Sequence, residues 1–166
     1  MLKPAAFLDR DGVINKEKKY LYKISDFEWI EGSQEGIKFL NENNYHVFVV
    51  SNQSGIARGL YSEKDVLILH EFIREELKKI NAYVDEFFIS PYHPMFPDKF
   101  KDCAHLRKPQ SGMLEIAESR WPIEKKDSFL IGDKDSDIEC AINYGIRGHL
   151  FNSGNLLDFI RKSESI

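Results

Sequence analysis

Asp9-Arg10-Asp11-Gly12 sets two carboxylates two residues apart, directly after the apolar run 5–8. A third carboxylate, Asp133, follows the apolar run 128–131 in the same way. Carboxylates gathered at one place repel each other and raise one another's pKa values. A hard divalent cation resolves that conflict, and all-oxygen ligation suits Mg2+. One carboxylate could then attack phosphorus and carry the phosphoryl group as an aspartyl phosphate. A second could protonate the leaving group and later activate water. An isolated Asp-x-Asp also describes a solvated turn, so the chemical reading depends on what else arrives beside it.

Three further clusters could complete such a site. Ser51-Asn52-Gln53-Ser54-Gly55 offers hydroxyls, amides and backbone N–H groups without bulk, a set that can cradle phosphate oxygens. Arg107-Lys108-Pro109 supplies a forked cation beside a compact point charge. Lys134 adjoins Asp133 and could offset the carboxylates or meet a substrate. Each cluster alone also fits an ordinary turn or a solvated basic pair.

The elements around these clusters decide between the readings. Residues 33–43 read as a helix with Ile37 and Leu40 on one face, and 46–50 as a buried strand. Ser62 reads as the N-cap of a helix carrying Val66, Leu69, Ile73, Leu77 and Ile80 at helical spacing. Residues 86–89 and 128–131 read as strands, 113–120 and the stretch up to about Tyr144 as helices, then a short strand near His149 and a last helix through Phe159. Residues 90–109 hold four prolines and no periodicity, which predicts a long loop. The alternation predicts an α/β fold with a mainly parallel central sheet flanked by helices. Ligands of such sheets bind beyond the carboxyl ends of the strands. Asp9, Ser51 and Asp133 would all arrive at that edge.

Bulk properties set the frame. The 166 residues suit one domain, 1–166, and 42% hydrophobic residues suffice for a core. A net charge of -4 speaks against a general nucleic-acid binder and leaves room for a small anionic substrate. The two cysteines, Cys103 and Cys140, suggest no disulfide framework, no apolar run approaches a membrane span, and Asp9 comes too early for a signal peptide. The expectation is a cytoplasmic protein with no membrane or nucleic-acid partner.

Together FLDRDG (7–12), VVSNQSG (49–55), RKP (107–109) and IGDKDSD (131–137) resemble the four ordered motifs of the haloacid dehalogenase (HAD) superfamily of phosphatases. SNQSGIARG (51–59), DRDGVIN (9–15) and RKPQSGM (107–113) resemble its D-glycero-D-manno-heptose 1,7-bisphosphate 7-phosphatase family, with histidinol-phosphate phosphatase as the nearest sibling. The resemblance implies a Rossmann-like fold with no cap domain, and the gap between Gly12 and Ser33 leaves room only for a small flap. It implies Asp9 as nucleophile and Mg2+ ligand, Asp11 as acid/base and ligand through its backbone carbonyl, and Asp133 as the remaining protein ligand. Ser51 and Lys108 would hold the transferring phosphoryl group. Asn52, Gln53, Ser54, Arg107, Lys134 and, from a looser match over 17–20, Tyr20 would contact substrate; Arg58 is a candidate for a distal phosphate. The implied activity is removal of the 7-phosphate in nucleotide-heptose synthesis for lipopolysaccharide or capsule, with histidinol phosphate or another small phosphomonoester as the alternative substrate. An exposed, capless site makes a monomer the simplest expectation.

Relatives carry a structural zinc in the long loop, held by Cys-x-His and Cys-x-Cys pairs. The matching positions here are Ser90, Tyr92, Ala104 and Leu106, none of them a zinc ligand. The expectation is a loop without zinc, packed by Tyr92, Phe96 and Phe100. The alternative is a shifted site from His93, Cys103 and His105 with Asp98 or Asp102.

Overall fold

The computed structural model describes residues 1–165. Five strands form one sheet in the order β3-β2-β1-β4-β5, with every neighbouring pair parallel. They are β1 (Lys3–Leu8), β2 (His46–Asn52), β3 (Glu86–Ser90), β4 (Ile123–Gly132) and β5 (Arg147–Leu150). The helices are α1 (Ser33–Glu42), α2 (Glu63–Lys78), α3 (Gly112–Arg120), α4 (Asp135–Tyr144) and α5 (Leu156–Glu164).

Alternation along the strands divides the core in two. Ala6, Leu8, Val47, Val49, Phe129 and Ile131 face one layer, where α1, α2 and α5 bring Ile37, Leu40, Leu69, Ile73, Leu77, Leu156 and Ile160. Ala5, Phe7, Phe48, Val50 and Leu130 face the other, against Met113, Leu114 and Ala117 of α3 and Cys140, Ala141 and Tyr144 of α4. The central strands are buried on both faces, which is why they read as unbroken apolar runs. Ser62 caps α2 as the sequence suggests, accepting from the Asp65 N–H at 3.2 Å while Asp65 accepts from the Ser62 N–H at 2.8 Å.

Several boundaries differ from the sequence reading. β4 begins five residues earlier than the apolar run 128–131, because Ile123 and Glu124 pair with Lys3 and Pro4 beyond a register shift. Its polar residues there are partly exposed, so they carry no burial signal. The last helix continues past Phe159 to Glu164. Residues 90–109 are not wholly irregular, since Lys101–Leu106 forms a 3-10 helix. Its i to i+3 bonds, such as Cys103 N–H to the Phe100 carbonyl at 2.8 Å, leave no 3.6-residue pattern to detect. Between β1 and α1 lie isolated bridges and one 3-10 turn, Ile24–Asp26, consistent with a flap in place of a cap. Among the described residues no helix is long and apolar enough to cross a membrane.

Candidate active site

Parallel pairing puts the ends of β1, β2 and β4 side by side, with Leu8 in register with both Val49 and Ile131. Asp9 follows directly and donates its N–H to the Ile131 carbonyl at 2.9 Å. Ser51 is the next-to-last residue of β2, and Asp133 is the first residue past β4. The sheet therefore gathers the three positions that the sequence places at strand ends.

Asp9 and Lys108 form the buried centre. Lys108 is 3% exposed, and its Nζ donates to Asp9 Oδ1 at 2.9 Å and to the Val50 carbonyl at 2.8 Å. It also meets Asp137 Oδ1 at 2.5 Å. Burial pushes the Asp9 carboxyl well above the ordinary range against the pull of Lys108, and the charges of Asp137 and Asp11 add to the rise. Burial alone would depress Lys108, but Asp9 and Asp137 outweigh it and keep the ammonium charged.

Asp9, Asp133 and Asp137 can each offer an oxygen such that all three lie within 4.8 Å of one another. Asp133 Oδ1 is buried and has no hydrogen-bond partner. Crowded carboxylates, an orphaned oxygen and a donor set made only of hard oxygens fit a small divalent cation such as Mg2+. Gly12, at φ +91°, permits this arrangement: a Cβ there would overlap the Asp133 carboxylate.

Asp11 is held by three side chains. Arg10 donates to both of its oxygens at 3.1 Å, Asn15 Nδ2 to Oδ1 at 3.0 Å, and Gln53 Nε2 to Oδ2 at 3.1 Å. Arg10 is fully buried and also donates to the Leu21 carbonyl at 2.9 Å, tying the flap to the strand end. Its Nη1 lies 3.4 Å from His70 Nε2.

The remaining predicted residues meet around one cavity of about 360 Å3. Asp9, Asp11, Asn52, Gln53, Ser54 and Lys108 line it, and so do Tyr20, Arg107 and Lys134. Ser51 is not in the lining and is bound from behind by Gln53. Asp133 borders a neighbouring cavity on the side of Gly12 and Phe151. Asn52 lines the cavity while clamping the Lys108 backbone: Nδ2 donates to the Lys108 carbonyl and Oδ1 accepts from the Lys108 N–H, both at 3.0 Å. At the rim, Arg58 lies 5.6 Å from the Tyr20 ring and 5.8 Å from the Phe96 ring, and 3.3 Å from His93 Nε2. Arg107 donates to the Tyr92 carbonyl at 3.2 Å.

The structure does not assemble His93, Cys103 and His105 as a shared ligand set; among the described residues the carboxylate cluster is the one group placed to hold a metal. His93 instead faces Arg58 and accepts the Met95 N–H at 3.1 Å on Nδ1. Phe96 is half-buried and meets Arg58, Lys99 and His93, whereas Phe100 is 38% exposed and does not pack. Sequence reasoning also passed over Asp137, Arg10 and Asn15. Asp137 had a usable signal, four residues after Asp133 in the first turn of a helix, where an acidic residue ordinarily reads as a cap. It does accept the Lys134 N–H at 3.1 Å, beside its contact with Lys108.

A parallel α/β sheet with carboxylates at strand ends and a buried lysine between one of them and a helix aspartate fits a HAD-like hydrolase. The HAD-hydrolase-like family model matches residues 105–158. A D-glycero-alpha-D-manno-heptose-1,7-bisphosphate 7-phosphatase from Photorhabdus laumondii is 44% identical over 143 residues, 85% of this chain and 78% of the relative. A D-glycero-beta-D-manno-heptose-1,7-bisphosphate 7-phosphatase from Rhodopseudomonas palustris is 38% identical over 161 residues, 96% and 89% of the two chains. The crystal structure of D,D-heptose 1,7-bisphosphate phosphatase from B. bronchiseptica, complexed with magnesium and phosphate, superposes with a TM-score of 0.80 at 28% identity, covering 96% of this chain and 86% of that one. The chain belongs to the heptose-1,7-bisphosphate 7-phosphatase family of HAD-like hydrolases.

Proposed function

We propose that this chain is a magnesium-dependent phosphatase that removes the 7-phosphate of D-glycero-D-manno-heptose 1,7-bisphosphate through an aspartyl phosphate on Asp9. The observation that carries the reading is the buried Asp9–Lys108–Asp137 contact, beside the unpartnered Asp133, in a cavity that also exposes Arg58 and Arg107 to a second anion. The family relationship supports the sugar. Both anomers occur among the relatives, so the reading covers the heptose bisphosphate without choosing at C1.

Asp9, Asp133 and the main-chain carbonyl of Asp11 would hold Mg2+, which when bound offsets the repulsion between the anionic nucleophile and the anionic phosphate. An Asp9 oxygen bonds to phosphorus as the bond from phosphorus to the sugar O7 breaks, and Asp11 delivers a proton to O7. Water then gives a proton to Asp11 while its oxygen bonds to phosphorus, and the bond to Asp9 breaks. The products are the heptose 1-phosphate and inorganic phosphate. Lys108 and Ser51 hold the transferring oxygens; Asn52 keeps Lys108 in place through its backbone. The same reading has the chain acting in the cytoplasm as a single-domain monomer.

Phosphate release from both heptose bisphosphate anomers and from histidinol phosphate tests the proposal. At least one anomer should be turned over far faster than histidinol phosphate, and chelation of Mg2+ should stop the reaction reversibly. Preference for histidinol phosphate would contradict the reading.

A further inference from the structure

Gln53 lines the cavity, yet its side chain has little left to offer a substrate. The residue is 2% exposed. One amide hydrogen goes to Asp11 Oδ2 at 3.1 Å and the other to Ser51 Oγ at 2.5 Å. The amide oxygen accepts from the Tyr61 hydroxyl at 2.6 Å. We propose that Tyr61 is a positioning residue: its hydroxyl fixes the Gln53 amide so that both amide hydrogens stay on Asp11 and Ser51. The inference rests on the phosphatase reading above and extends it to a residue outside the motifs.

Asp11 already accepts from Arg10 and Asn15, and the Gln53 nitrogen faces it as a third donor. A reversed amide would set its oxygen against the Asp11 carboxylate. The Tyr61 hydroxyl opposes that reversal by donating to the oxygen on the far side. Burial pushes the Tyr61 phenol up to about 12, so the hydroxyl keeps the proton it donates. Its ring is itself held, stacked 5.2 Å from Tyr22 and packed with Ile56 and Val66. Gly55 lies beneath it, where any Cβ would overlap the ring. Because Ser51 accepts from Gln53, its own hydroxyl hydrogen remains available for a phosphoryl oxygen. One hydroxyl thus orders both the acid/base carboxylate and a phosphoryl-binding group.

Tyr61→Phe keeps the ring and deletes only the hydroxyl. The expected result is a kcat lower by ~5- to 10-fold, the scale of one neutral hydrogen bond, with KM nearly unchanged and Tm modestly lower because the buried Gln53 oxygen loses its donor. Gln53→Leu should lower kcat further, and adding Tyr61→Phe to it should change nothing more, because the hydroxyl acts through the amide. If Gln53→Leu does not fold, Gln53→Met takes its place in the cycle. A Tyr61→Phe enzyme with wild-type kcat, or losses that multiply in the double variant, would overturn the inference. Wild-type turnover is measured first, on the heptose bisphosphates and on p-nitrophenyl phosphate. No turnover of any of them overturns the phosphatase reading along with this one; normal wild-type turnover with an unaffected Tyr61→Phe overturns this one alone.

Discussion

At the floor of the cavity, Asp9 at the end of β1 meets Lys108, which is tied to both the Val50 carbonyl and the Asn52 side chain; both residues are buried. At the rim, Tyr20, Arg58, His93 and Phe96 come from loops and meet through cation–ring contacts and one 3.3 Å contact. Lys108 has partners at the end of β1, on β2 and on α4, so removing it leaves Asp9 and Asp137 buried together without a cation. The rim has single contacts of a kind worth about 0.5–1 kcal/mol each. On the proposed reading, phosphoryl chemistry is fixed at the floor and the rest of the substrate is selected at the rim.

The largest expected effect comes from breaking the floor. Lys108→Met leaves Asp9 and Asp137 buried without their shared cation, and loss of one partner from a buried pair typically destabilises by about 3–5 kcal/mol. Denaturant unfolding should show a loss of that order, and phosphate release should fall below detection. At the rim, Arg58→Ala should act on binding: KM for the bisphosphate rises about 10-fold, and more than KM for p-nitrophenyl phosphate, which has no second phosphate. Steady-state kinetics on both substrates reads the difference; an equal rise on both would place Arg58 at the reacting phosphate instead.

How much of this could be read before the fold was known follows the same division. Asp9, Ser51 and Asp133 stand out because each follows an apolar run, and a parallel sheet can only bring such positions to one edge. Lys108 comes from an irregular segment and was legible through the Arg-Lys-Pro resemblance, not through periodicity. Arg10 between two aspartates looks like a surface residue, yet it is fully buried, since the flap carbonyl of Leu21 and the α2 side chain of His70 close over it. No local pattern encodes that closure. The rim was least legible, because a 3-10 turn and cation–ring contacts leave no period in the sequence.

His70 gives the smallest effect and probes the join between floor and α2. It is 4% exposed and stacked 4.4 Å from Phe87. Burial, with Arg10 and Arg74 nearby, holds its pKa well below the ordinary value of 6.5. The unfolded chain therefore binds this proton first as pH falls, and stability drops below about pH 6.5 by up to about 1.4 kcal/mol per pH unit. His70→Gln should make the stability–pH curve flatter in that window, as read by urea unfolding. An unchanged slope would mean that His70 titrates normally in the fold.

The most direct test of the account is covalent. Enzyme mixed with heptose bisphosphate labelled in the 7-phosphate is quenched rapidly in acid, digested and searched for labelled peptide. The account predicts label on the peptide containing Asp9 in the wild type, sensitive to hydroxylamine, and neither label nor turnover in a folded Asp9→Asn enzyme. Substantial turnover by Asp9→Asn would contradict it.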